Sequence, residues 1–251
     1  MHYYLPAWPV AIPRTFKPAA SLKLSRRGRT TDTLDEIALR HAQRVMDLQE
    51  SIRCSGITGT WTELMFSNTS DYAALASSAV EASLLTPGPK MQPVVPALFF
   101  DGNKGVGRGM VIVARGVLSN TGTPTMTFQV RLGTTAGASQ LGGTPVAVSA
   151  AITTASGVTN KFWEMRVELI CNTPGQGTGN TVLNCAGYVT SPGGFGSPFT
   201  YAMEPTTPDT ATWTATIDNT VTQYINITET WSASSASNTL TLKQLFVYGL
   251  N

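Results

Sequence analysis

Two histidines, His2 and His41, and three cysteines, Cys54, Cys171 and Cys185, are the side chains from which an imidazole-assisted nucleophile or a transition-metal site would have to be built. Both histidines fall within the first 41 residues, and no cysteine stands in a CxxC spacing. A Ser-His-Asp or Cys-His device needs an imidazole in hydrogen-bond reach of its nucleophile. Zinc needs several His or Cys converging on one point. Neither pattern is present, so no catalytic residue, no metal ligand and no cofactor is expected. The cysteines read as buried free thiols, and a Cys171–Cys185 bridge between neighbouring strands has no independent support.

Two further patterns bear on chemistry. Glu164 and Glu168 share one face of an alternating segment. Four residues at ~3.3 Å each put them roughly 13 Å apart, beyond the ~5–9.5 Å of a glycosidase pair. With Arg166 between them they read as a solvated charged row. DGNKGVGRG, residues 101–109, is rich in glycine but runs into the strand-like MVIVARGVL and contains no GK[ST]. A phosphate loop feeds a helix N-terminus, so this stretch reads as a loop between strands.

What remains is the chemistry of binding. The net charge is +2, but residues 1–31 hold Arg14, Lys17, Lys23, Arg26, Arg27 and Arg29 and no acid. From Cys54 onward, 8 Lys and Arg stand against 10 Asp and Glu. The first 31 residues also carry Pro6, Pro9, Pro13 and Pro18 among Tyr3, Tyr4, Trp8 and Phe16. Proline fixes φ and removes an amide donor, so this is an extended arm. Disordered tails are poor in aromatics, so the arm is expected to lie against a partner, with Trp8, Phe16, Arg26, Arg27 and Arg29 as anchors. Nucleic acid is the lesser reading, because the basic cluster is small and its aromatics lie upstream. A second binding candidate is the long irregular stretch 190–211, whose aromatics Phe195, Phe199 and Tyr201 suit a contact between copies or a receptor contact.

The elements that must position these groups follow from periodicity. TDTLDEIALRHAQRVMDLQESIR opens on a capping box, Thr33 with Glu36, and places Leu34, Ile37, His41, Val45, Leu48 and Ile52 on one stripe. It predicts an amphipathic helix within 32–55. Two partners stay open for the stripe of Leu34, Ile37, Val45, Leu48 and Ile52: the same subunit or other copies. From Gly56 the period becomes two. In TMTFQVRL, Met126, Phe128, Val130 and Leu132 face one way; in KFWEMRVELIC, Trp163, Met165, Val167, Leu169 and Cys171 do. Further strands are predicted at 61–66, 72–85, 94–100, 109–119, 143–149, 180–190, 213–218, 222–231 and 239–248. This many strands without helices predicts an all-β, antiparallel β-sandwich over 56–251, with a jelly roll as the expected form. Trp163, Phe128 and Trp231 are assigned to its core or to a subunit interface. No apolar run reaches the ~18 residues of a membrane span, and MHYYLPAWPVAIPRTF lacks the charged start and apolar block of a signal peptide.

Four segments carry a family resemblance: SDYAALASSAVEASLL, PALFFDGNKGVGRGMVIVARGVLSNTGTPTMTFQVRLG, FWEMRVELICNTPGQGTGNTVLNCAGY and the C-terminal TETWSASSASNTLTLKQLFVYGL. Together they resemble the β-sandwich minor structural and head decoration proteins of tailed bacteriophages, over roughly residues 60–251. The resemblance implies paired strands in the second segment, a central hairpin in the third and a final strand-turn-strand hairpin in the last. It transfers no catalytic residue. It implies a non-enzymatic virion component on the outer surface of the phage particle, made in the host cytoplasm. The first expectation is a capsid decoration or cement protein, a homotrimer anchored by its arm to the phage major capsid protein. The alternative is a tail or fibre protein carrying a receptor- or carbohydrate-binding sandwich.

Overall fold

The computed structural model describes residues 62–76, 79–85, 92–100, 108–137, 141–175, 181–206 and 213–250, and every regular element in them is a β-strand. The arm of residues 1–31 and the helix of 32–55 lie outside the described residues. So do Trp8, Phe16, Arg26, Arg27, Arg29, Leu34, Ile37, Val45, Leu48 and Ile52.

Fourteen strands follow in order. They begin with β1 (Thr62–Asn68), β2 (Leu75–Ala76), β3 (Ala82–Ser83), β4 (Val94–Val95), β5 (Gly109–Ser119), β6 (Thr125–Gly133) and β7 (Thr144–Ser149). They continue with β8 (Ile152–Thr153), β9 (Lys161–Thr173), β10 (Thr181–Thr190), β11 (Thr200–Glu204), β12 (Thr214–Ile217), β13 (Gln223–Trp231) and β14 (Thr239–Leu250). All pairings are antiparallel, and the main path runs β1-β14-β5-β9-β10-β11-β7-β6-β13-β3.

This path folds over on itself at β11, which pairs with β10 through Thr200–Met203 and with β7 through Met203 and Glu204. One layer is β1-β14-β5-β9-β10, the other β7-β6-β13-β3. Strand alternation turns Trp163, Met165, Val167 and Leu169 of β9 and Met126, Phe128, Val130 and Leu132 of β6 inward, all buried. The two sets meet, because the Phe128 ring lies 5.1 Å from that of Trp163. Each such side chain contributes about 1.5–3 kcal/mol on burial, and a one-residue slip of either strand would turn its whole set outward. Trp231 is buried in the same core, so Trp163, Phe128 and Trp231 are core residues of this chain. Gly116 is needed here: a Cβ on it would stand 1.9 Å from the Thr241 carbonyl oxygen and 2.9 Å from the Trp163 indole.

The predicted periodicity holds for the long strands, and β9 and β10 form the expected central hairpin. Two other expected pairings are corrected. β5 and β6 do not pair with each other, and neither do β13 and β14; each duo crosses between the layers. Instead β14 pairs with β5 and β13 with β6. The reason lies in β5: its residues from Gly109 to Ala114 are buried on both faces, so it needs a neighbour along each edge, β14 and β9. β6–β7 and β9–β10, by contrast, close as hairpins within a layer. The segments 72–85 and 94–100 form only two-residue ladders. In the second, Pro96 lacks the donor a ladder needs, and the chain turns with Leu98 at φ 61°.

Candidate functional site

The outward face of the first layer gathers aromatic and charged side chains into rows set by the ladder. One row runs Ser67, Phe246, Val113, Arg166, Tyr188 across β1, β14, β5, β9 and β10. The next runs Leu64, Tyr248, Val111, Glu168, Ala186. On the other side lies Gln244, Arg115, Glu164, Thr190. At ~4.8 Å per strand, Phe246 and Tyr188 stand roughly 14 Å apart.

Alternation explains each placement. Leu245 and Val247 enter the core, so Phe246 and Tyr248 face out. Their rings stack, with centroids 6.1 Å apart and planes 19° from parallel. Glu164, Arg166 and Glu168 face out because Trp163, Met165, Val167 and Leu169 face in, which matches the predicted charged row. That row is not merely solvated: Arg115 Nε donates to Glu164 Oε2 at 2.6 Å, and the Tyr188 hydroxyl lies 3.5 Å from Glu164 Oε1. Phe162, on the same face of β9, is 48% exposed, and Tyr188 36%. Val111 and Val113 form a buried apolar strip between the stacked rings and the charged row.

The loop candidates divide. Phe195 is 1% exposed and belongs to the core, 6.5 Å from the Phe128 ring and 5.9 Å edge-on to Tyr201. It is therefore not a surface contact. A turn tucks it in, with the Gly194 and Phe195 amides both donating to the Ser191 carbonyl, and residue 195 bridges to Thr154. Tyr201 is half-buried against the same core. Phe199, 52% exposed, is the one of the three that reaches solvent freely. The stretch is also less irregular than expected, since it contains β11. Phe246, Tyr248, Tyr188, Phe162 and Arg115 were not singled out from sequence. Their outward orientation is legible in alternation; their assembly across four strands is not.

Cys171 and Cys185 are free and buried. Burial raises both thiols, Cys185 to about 12, so neither supplies a thiolate near neutral pH. Among the described residues no cluster of His, Cys, Asp and Glu could hold a metal ion, and no helix is long and apolar enough to cross a membrane.

Layer order and core define the class: an antiparallel β-sandwich. The solved structures it is similar to include lectins and a phage CBM2 module. The Lotus tetragonolobus seed lectin matches at a TM-score of 0.32 and 7% identity, over 77% of this chain and 99% of that one. Lectin I-B4 of Griffonia simplicifolia matches at 0.32 and 10%, over 78% and 95%. The CBM2 module of the evolved Dit of Lactobacillus casei BL23 phage J-1 matches at 0.28 and 11%, over 64% and 68%. No family model matches the chain, and no curated protein matches it in sequence.

Proposed function

We propose that this chain is a non-enzymatic bacteriophage tail or fibre protein whose sandwich binds a carbohydrate receptor on the outward face of β14, β5, β9 and β10. The observation that carries the reading is the juxtaposition of Phe246, Tyr248, Tyr188 and Phe162 with Arg115, Glu164, Arg166 and Glu168 on one continuous sheet. Aromatic faces take the apolar face of a sugar ring, and ionised groups make stronger hydrogen bonds to hydroxyls than neutral ones do. Two arginines face two glutamates there, so the face is balanced in charge and suits a neutral glycan. A paired sheet also holds these groups in place before a ligand arrives, which lowers the ordering cost of binding. The virion setting rests on the sequence resemblance.

A glycan array probed with the full chain tests this. Saturable binding is expected, weakened on the order of tenfold or more by Tyr188→Ala and by Arg166→Ala, as for central contacts of an interface. A silent array, or binding that survives both changes, would count against the reading.

A further inference from the structure

The outward face of the first layer is longer than one sugar needs. On β9 its residues are Phe162, Glu164, Arg166 and Glu168, one in each successive row, with Val117, Arg115, Val113 and Val111 opposite them on β5. From Phe162 to Glu168 the strand covers roughly 20 Å at ~3.3 Å per residue.

The rings on this face do not gather at one point. Tyr188 is the ladder partner of Arg166 on β10, so it lies one strand across from β9 and four residues along from Phe162. At ~3.3 Å per residue and ~4.8 Å per strand, Phe162 and Tyr188 stand roughly 14 Å apart. Phe246 lies two strands over in the Arg166 row, roughly 16 Å from Phe162. Rings in contact have centroids about 4.5–7 Å apart, so one sugar ring packed on Phe162 leaves Tyr188 and Phe246 untouched. Phe162 is nonetheless firmly held. Its side chain is exposed, while its carbonyl accepts from the hydroxyl of the buried Ser191 at 2.6 Å.

The polar groups along this line divide into two kinds. Arg115 and Glu164 are committed to each other, with the Tyr188 hydroxyl beside Glu164. The side chains of Arg166 and Glu168 make no hydrogen bond or ion pair among the described residues. A guanidinium offers N–H donors and a carboxylate two acceptor oxygens, so both keep capacity for hydroxyls.

We propose that the occupant of this face is a chain of several neutral sugar units laid along β9, an inference that rests on the carbohydrate reading above and specifies its substrate class. One unit packs on Phe162 and another on Tyr188, and hydroxyls beside and beyond Tyr188 meet Arg166 and Glu168. Once one unit is seated, the next binds as an intramolecular event, and linked contacts of this kind raise affinity by about 10²–10⁴ over either alone.

Calorimetry on the full chain with cellotetraose, mannotetraose and chitotetraose, each beside its own monosaccharide, tests the length requirement. At least one tetrasaccharide is expected to bind about a hundredfold or more tighter than its monosaccharide. Phe162→Ala and Tyr188→Ala, both at exposed side chains, are each expected to weaken that tetrasaccharide about tenfold or more. A monosaccharide that binds within about tenfold of its tetrasaccharide, or full affinity in either variant, overturns the inference and leaves the carbohydrate reading standing. If none of these sugars binds, the inference fails, and the glycan array decides whether the carbohydrate reading fails with it.

Discussion

At the residue scale, Glu229 is the group most at odds with its surroundings. It lies on the inward face of β13 between Ile227 and Trp231, paired with Phe128 on one side and Ala82 on the other. Both carboxylate oxygens are buried with no hydrogen-bond partner among the described residues. Burial pushes its pKa from 4.5 to about 8, because an ion in apolar surroundings loses its hydration. Between pH 4.5 and about 8 the folded chain thus holds a proton that the unfolded chain has already released. Stability is expected to fall as pH rises through that window and to level off above it, the reverse of a salt-bridged carboxylate. The whole change is on the order of 5 kcal/mol. Glu229→Gln, neutral at every pH, should remove this slope. Urea midpoints of both proteins at about pH 5 and about pH 9 decide it, and equal midpoints for the native chain would sink the assignment. The same residue shows where sequence reading stopped: in QYINITETW, Glu229 shares its parity with Ile225, Ile227 and Trp231, so its inward position was legible, but its lack of a partner was not.

At the element scale, the corner between β5 and β6 decides the topology. Asn120 is buried there and holds three groups: its amide nitrogen donates to Thr154 Oγ1 at 2.5 Å and to the Ala155 carbonyl at 3.0 Å, and its oxygen accepts from the Val158 amide at 3.1 Å. These bonds tie the crossing to the strand-free stretch before β9. Asn120→Ala leaves them unmade inside the protein, at ~1–3 kcal/mol for a buried unsatisfied group. A loss of roughly 2–4 kcal/mol is expected by chemical denaturation; a variant within about 0.5 kcal/mol of the native chain would mean that the corner is held by strand pairing alone. Gly116→Ala should cost at least as much, since its Cβ would meet backbone at 1.9 Å and β14 would have to move off β5. The strand lengths and inward faces here were predictable from alternation. The partners were not, because SNTGTP and SASSASN look alike as turns whether they close a hairpin or carry the chain across the core.

At the scale of the whole molecule, the head-decoration expectation and the proposed receptor-binding function make different demands. A decoration protein needs its anchor on the head: residues 1–31, with Trp8, Phe16, Arg26, Arg27 and Arg29, engaging the major capsid protein, and three copies acting together. A receptor-binding tail or fibre protein needs its outward sheet face. Undecorated capsids mixed with the full chain and with an R26A/R27A/R29A variant separate them. Under the proposed function neither is expected to bind at stoichiometric copy number. Stoichiometric binding by the native chain, lost in the variant, together with a trimer mass in solution, would return the assignment to the head.

Alternation with period two is a local property of a strand. By itself the sequence therefore determined that the part from Gly56 onward is built of strands, with Trp163, Phe128 and Trp231 available for its core, and that Glu164, Arg166 and Glu168 form one outward row. Which strand lies beside which is a non-local matter, settled by burying both faces of β5 and by the tied corner at Asn120. Only the tertiary structure could bring Phe246 into register with Val113, Arg166 and Tyr188, and Tyr248 with Val111 and Glu168. Only it could draw Phe195 out of the expected surface loop and into the core, because a side chain's exposure depends on what packs over it.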